Sequence, residues 1–353
     1  MFGFDGLTAP PEVFELILAG AAGAIFFARN VATPSQVAEL SRSLKAAAGA
    51  RPFLVAIDQE GGRVARLRPP RWSALPTARS LGKAGPVAAR EAGALAGREL
   101  YACGIDLDFA PVLDIDTNPQ NPVIGDRSFG ATANEAIAAA LAFAEGLHSE
   151  GVASCGKHFP GHGDTATDSH LALPRLTHDR ARLDTVELAP FRAATALPSL
   201  MTAHVIFDAL EPGVPATLSR AALTGLLREE LGYGGVIVSD DLEMKAIADH
   251  FGFENAVLAG ARAGVDLYLV CHTAALQRNL VETIATALAS SALADAEADA
   301  AERRIATLAS RWAQPALSID PAHAERLCGS PQHIELSARL GAGVSGRDPT
   351  AWR

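Results

Sequence analysis

The 353-residue chain has no excess of positive charge: 30 Lys and Arg stand against 40 Asp and Glu, a formal −10 at pH 7. That argues against nucleic acid as the main partner, because phosphate recognition needs a clustered cationic surface. No hydrophobic run approaches the roughly 20 residues of a membrane span, so no membrane partner is expected. Residues 1–11 hold no Lys or Arg but do hold Asp5, and this start does not read as a secretory leader. Cysteine is scarce. Cys103, Cys155, Cys271 and Cys328 lie far apart with no C-x-x-C, which excludes a disulfide framework and fits a reducing cytoplasm. Also missing are a Gly-rich phosphate fingerprint after the first candidate strand and a solenoid repeat with a period of roughly 20–50 residues. What is there is a globular composition, 49% hydrophobic and 20% charged, on a chain long enough to bury a substantial core.

Short β-branched or aromatic runs recur along the chain, and each is followed by an alanine-rich stretch. The runs are residues 3–5, 23–27, 53–58, 106–111, 152–158, 200–206, 235–240 and 266–271. Helices are expected over residues 11–18, 34–47, 85–101, 134–149, 183–194, 219–231, 253–263 and 273–290. Strict β-then-α alternation predicts a parallel sheet, and eight such units close most economically into an α/β (β/α)8 TIM barrel; a doubly wound open sheet is the competitor. One more amphipathic helix is expected over residues 295–311. The barrel domain is placed at residues 1–314 and a C-terminal helical tail at residues 315–353, with nothing in the tail assignable to chemistry.

In a barrel the reactive groups come from the C-terminal ends of strands, and the oddest polar residues sit there: Asp58 after the third candidate strand, Asp114 and Asp116 after the fourth, Lys157 and His158 at the fifth, and Asp240 with Asp241 at the seventh. Any one such Asp serves equally well as a helix N-cap or in an ion pair. Their coincidence at one rim points to a reactive site. The densest stretch, residues 155–174, holds His158, His162 and His170 with Asp164 and Asp168 among several glycines, so it is a long loop rather than a helix. It contains no H-E-x-x-H and no His pair that a helix could present at i, i+4, so neither a metal nor any other cofactor is expected. The other reading pairs Asp168 with His170, orienting the imidazole and tuning its basicity for proton transfer.

The segments I-D-Q-E-G-G-R-V, N-P-V-I-G-D-R-S-F, K-H-F-P-G-H-G-D-T-A-T-D-S-H-L-A-L-P, M-T-A-H-V-I-F and V-S-D-D-L-E-M occur in this order. Together they resemble the bacterial β-N-acetylglucosaminidases of glycoside hydrolase family 3, from about residue 4 to about residue 290. The resemblance implies Asp240 as nucleophile, His170 as general acid/base and Asp168 as its partner. It implies sugar contacts at Asp58, Arg66, Arg127, Lys157 and His158, with His204 lining the same pocket. The phenylalanine of M-T-A-H-V-I-F stands where the family often has tyrosine.

The implied activity is retaining hydrolysis of terminal, non-reducing β-linked N-acetylglucosamine from cytoplasmic peptidoglycan fragments in cell-wall recycling. It would run through a covalent glycosyl-enzyme, in a monomer or weak homodimer. Retention needs a nucleophile and a proton donor; an imidazole near pKa 6.5 can give a proton in one half-reaction and take it back in the next. Alternation along a strand lets only one of Asp240 and Asp241 aim into the barrel mouth. Phosphorolysis, a β-glucosidase on the same fold, and substrate assistance by the 2-acetamido group are the competing chemistries.

Overall fold

The computed structural model describes residues 1–166, 173–342 and 348–350. Eleven short strands occur among them: β1 (Gly23–Phe26), β2 (Leu54–Ile57), β3 (Gln59–Gly61), β4 (Val64–Ala65), β5 (Leu107–Asp108), β6 (Ala153–Phe159), β7 (Arg175–Leu176), β8 (Ser199–Thr202), β9 (Ile206–Phe207), β10 (Val236–Asp241) and β11 (Leu267–Leu269). Seven of them form one curled parallel sheet in the order β1-β2-β5-β6-β8-β10-β11, so the chain is α/β with a parallel sheet.

Alternate side chains of each strand feed two different cores, as the two-residue period of a strand requires. Ile25, Leu54, Ala56, Leu107, Ala153, Cys155, Val236, Val238, Leu267 and Leu269 meet inside the curl, with Leu308 and Ala309 of the helix Asp295–Trp312 packed in the same cluster. Ala24, Phe26, Val55, Ile57, Ile237 and Tyr268 face outward and pack against the surrounding helices. Both faces are therefore buried, which is why these strands read as continuous apolar runs.

Helices start where the sequence carries start signals. Thr132 accepts from the Glu135 amide and Glu135 reaches back, a capping box opening Ala133–Ser149. Thr33 caps Pro34–Ala47, with proline in its first turn. The expected helix over residues 183–194 forms as two pieces, Arg180–Thr185 and Ala189–Ala193, the second opening around Pro190, whose missing donor prevents one continuous helix. The stretch expected over residues 219–231 is a π-helix, Ala221–Glu230. No helix among the described residues is long and apolar enough to cross a membrane.

The strand expected over residues 3–5 does not form. Only Phe2 pairs, bridging in parallel to Ala24 of β1 and to Val270 just after β11, the two edges of the sheet. Beyond it the carbonyl oxygens of Phe4 and Gly6 are taken by side chains, Asn30 Nδ2 at 3.0 and 2.8 Å and Arg29 Nε on Phe4 at 2.9 Å, so no strand ladder is left for them to join.

Past residue 314 the chain packs back onto the body. Ile319, Ala324 and Cys328 belong to the main core cluster, and His333 Nδ1 lies 3.0 Å from the buried Glu99 carboxylate.

Candidate active site

The segment after β2 turns back on itself within eight residues. Strands β3 and β4 form a small antiparallel hairpin whose turn needs positive φ at Gly61 (98°) and Gly62 (56°); a Cβ on Gly61 would also sit 2.4 Å from the Pro76 oxygen. Gln59 fixes the return. Its amide oxygen accepts from the Arg66 and Leu67 backbone at 2.9 and 3.0 Å, and its Nε2 donates to the Leu67 oxygen at 2.9 Å. The hairpin thereby carries Arg66 back to Asp58, Nη2 to Oδ2 3.0 Å.

Asp58, Arg66, Arg127, Lys157 and His158 line one cavity together with Asp240, Asp241, His162, Phe27, His272 and an apolar floor that includes Ile25, Phe109, Met201 and Leu269. The charged members are wired together below the opening. Arg127 donates to both oxygens of Glu60 at 2.8 Å, a bidentate pair, and Lys157 Nζ lies 2.7 Å from Asp58 Oδ1 and 2.6 Å from Glu60 Oε1. Burial alone would raise the Asp58 and Glu60 carboxyls, but Lys157 and Arg66 outweigh it at Asp58, and Arg127 and Lys157 at Glu60. Both carboxyls are held below the usual carboxylate range, Glu60 far below. Burial likewise opposes charge on Lys157, yet Asp58 and Glu60 keep it protonated. The result is a rigid, fully ionised set of donors and acceptors.

His158 is oriented by Asp114. The Asp114 carboxylate lies 2.7 Å from His158 Nδ1 and accepts from the His158 amide at 3.2 Å and the His162 amide at 2.6 Å. Burial would raise Asp114, but the histidines overcome it and hold it ionised, and its contact with Nδ1 fixes the orientation of the His158 ring at the cavity. His162 behaves differently: burial, then His158, lowers it to about 4, so it is neutral at pH 7. The stretch leading toward residue 167 is anchored by Asn121, whose Nδ2 donates to the His162 and Gly163 oxygens at 2.9 and 3.0 Å, and by Asp164, which takes Thr117 Oγ1 at 2.7 Å and lies 2.5 Å from His178 Nε2. His170 and Asp168, the expected acid/base pair, lie outside the described residues.

At the end of β10 the expectation that only one of two adjacent acids could reach the opening is corrected. Both Asp240 and Asp241 line the cavity, because the register against β11 shifts between Val238 and Asp241 and strict alternation stops there. Charge separates them instead. Asp241 is buried, and burial, reinforced by Glu243, pushes its carboxyl well above the usual range. Asp240 is only partly buried and accepts the Asp241 amide at 2.8 Å. His204 Nδ1 lies 2.8 Å from Thr217 Oγ1 and Nε2 3.0 Å from the Asp241 carbonyl oxygen, so it braces the end of β10.

Asp114, expected at the rim, orients His158. Three residues of the site were not singled out from sequence. Glu60 positions the cations, and its signal, a carboxylate just past a strand end, is shared with any N-cap. The other two are Asp348, paired with Arg66 Nη1, and Thr350, 2.8 Å from Arg66 Nη2 and lining the same cavity; the tail therefore does carry residues of the site. Among the described residues no group of three or more His, Cys, Asp or Glu side chains is arranged to hold a metal ion.

Residues 9–308 match the glycosyl hydrolase family 3 N-terminal domain. The chain is 37% identical over 94% of its length to β-hexosaminidase A of Pseudoalteromonas piscicida, of which it spans 60%. It is 41% identical over 77% of its length to the β-hexosaminidase of Idiomarina loihiensis, of which it spans 83%. A family 3 β-N-acetylglucosaminidase structure from Paenibacillus sp. str. FPU-7 superposes with a TM-score of 0.90 at 42% identity, covering 96% of this chain and 66% of that one. NagZ from Neisseria gonorrhoeae, in complex with N-trifluoroacetyl-D-glucosamine, superposes with a TM-score of 0.78 at 29% identity, covering 96% of both chains. On sequence and fold together, the chain belongs to glycosyl hydrolase family 3, and the relatives it resembles there are β-hexosaminidases.

Proposed function

We propose that the chain is a retaining exo-β-N-acetylglucosaminidase that removes terminal β-linked N-acetylglucosamine through a covalent glycosyl-enzyme. One observation carries the reading: at the tip of β10 Asp240 opens, partly exposed, onto the cavity walled by Asp58, Arg66, Arg127, Lys157 and His158, while its neighbour Asp241 is buried, with its carboxyl pushed well above the usual range. A nucleophile must be reachable, and Asp240 is the less buried of the two. The wired cations and carboxylates suit a polar sugar ring, since each offers a hydrogen bond fixed before substrate arrives.

In the proposed reaction Asp240 attacks the anomeric carbon while His170, oriented by Asp168, protonates the departing oxygen. His170 then draws a proton from water, which attacks the anomeric carbon and releases Asp240. The proposed substrates are cytoplasmic peptidoglycan fragments, acted on by a monomer or weak homodimer in the cytoplasm, as the sequence resemblance implies. The scaffold inferred for it is a single closed barrel of eight βα units. The bridges from Phe2 to both edges of the sheet support that closure.

The test compares the 4-nitrophenyl β-glycosides of N-acetylglucosamine and glucose, with the first-formed anomer followed by proton NMR in phosphate and in phosphate-free buffer. Preference for the N-acetylglucosaminide and a β-product formed first in both buffers is expected. An α-product formed first would overturn retention, a glucoside preference the sugar specificity, and sugar 1-phosphate as main product the hydrolytic reading.

A further inference from the structure

The cavity holds three buried cations, Arg66, Arg127 and Lys157, but residues 58–158 supply only two carboxylates to pair with them, Asp58 and Glu60. The third comes from the far end of the chain. Asp348 pairs through Oδ2 with Arg66 Nη1, while its Oδ1 accepts the Thr350 amide at 2.8 Å and the Thr350 hydroxyl at 2.7 Å. The Thr350 oxygen in turn accepts from Arg66 Nη2 at 2.8 Å. The Arg66 guanidinium is also 5.7 Å from the centre of the Phe27 ring, so Asp58, Phe27 and residues 348–350 hold it in one orientation. Thr350 lines the cavity, and a hydroxyl that donates once and accepts once keeps one lone pair for a ligand.

We propose that residues 348–350 complete the sugar pocket as a specificity element: Asp348 positions Arg66 and shields its charge so that the pocket favours a neutral terminal sugar, and Thr350 offers its remaining lone pair to a sugar hydroxyl. This rests on the glycosidase reading above. Without Asp348 the Arg66 guanidinium keeps a single carboxylate, Asp58, which it shares with Lys157, and in a largely buried site its charge then attracts an anion far more strongly than at the surface.

The test uses Asp348→Asn and Thr350→Val in the full chain. On 4-nitrophenyl N-acetyl-β-glucosaminide, Asp348→Asn raises KM about 10-fold, with kcat within about 3-fold, the pattern of a lost uniform binding contact. Thr350→Val raises KM by a smaller factor, about 3-fold, the size of one neutral hydrogen bond. Inorganic sulfate separates positioning and neutralisation from a merely structural role. It inhibits Asp348→Asn competitively and at least about 5-fold more strongly than the parent, and adding Arg66→Gln removes that inhibition. Sulfate-induced thermal stabilisation of Asp348→Asn over the parent reads the same effect without turnover. A parent enzyme inactive on the glycoside thus sinks the functional proposal while this one is still judged. Unchanged KM in both variants, or sulfate binding indifferent to Asp348, overturns it.

Discussion

Glu60 is the joint of the charged network, and replacing it with glutamine tests whether the site is held by that joint. The change keeps the side chain's shape and removes one negative charge that serves three contacts: two from Arg127 at 2.8 Å and one from Lys157 Nζ at 2.6 Å. Three charge-assisted hydrogen bonds at about 1.5–3 kcal/mol each give a gross loss of about 5–9 kcal/mol. Glutamine keeps one acceptor oxygen, and the pair already bears the desolvation cost of its ions, so the loss measured for breaking a buried pair, about 3–5 kcal/mol, is the figure expected. The assay is urea unfolding of parent and variant from pH 7 to pH 3.5. Because Arg127 and Lys157 outweigh burial and hold the folded-state carboxyl below its unfolded value of 4.5, the contribution is fully present above 4.5 and is lost as pH falls toward the folded value. The gap between the two proteins is therefore full at pH 7 and closes by about 1.4 kcal/mol per unit below 4.5. KM for the N-acetylglucosaminide rises as well, since Arg127 and Lys157 lose their fixed positions. A gap under about 1 kcal/mol at pH 7, or one that does not change with pH, would refute the reasoning.

Other substitutions probe the remaining assignments. Asp240→Ala abolishes turnover, at least about 10³-fold in kcat, whereas Asp241→Asn, which keeps the shape of the more buried neighbour, stays within about 10-fold of the parent; the reverse ranking would move the nucleophile by one residue. His170→Ala loses about 10²–10⁴-fold on an N-acetylglucosaminyl disaccharide and much less on the nitrophenyl glycoside, with rescue by azide, and Asp168→Asn follows more weakly; equal losses on both substrates would reduce His170 to a binding role. Asp108 is buried beneath the network with Oδ2 unpartnered among the described residues, and burial raises its carboxyl to about 8. A raised acid contributes its full share of stability below the unfolded value and loses it as pH rises toward 8, so Asp108→Asn stabilises the fold at pH 8 relative to the parent and not at pH 4, as thermal melts at both pH values would show. Dialysis against a chelator leaves activity unchanged; a loss restored by zinc or manganese would replace the His/Asp proton-transfer account.

The sequence alone determined whatever repeats with a short period or sits within a few residues. Strand runs alternating with alanine-rich stretches predicted the parallel α/β sheet, and Pro11–Leu18, Pro34–Ala47 and Phe253–Ala263 form at the expected residues because caps, prolines and apolar faces are local signals. Strand-end acids and histidines also located the rim. Tertiary structure decided which of those acids are charged and which residues they serve. Arg127 meets Glu60 across 67 positions, Lys157 meets Asp58 across 99 and Arg66 meets Asp348 across 282, and no pattern along the chain encodes such pairings. The same limit applies at β10, where adjacency could not tell Asp240 from Asp241. The distinction depends on a register shift against β11 and on the burial of one carboxyl beside Glu243, and desolvation is a property of the surrounding fold rather than of the neighbouring letters.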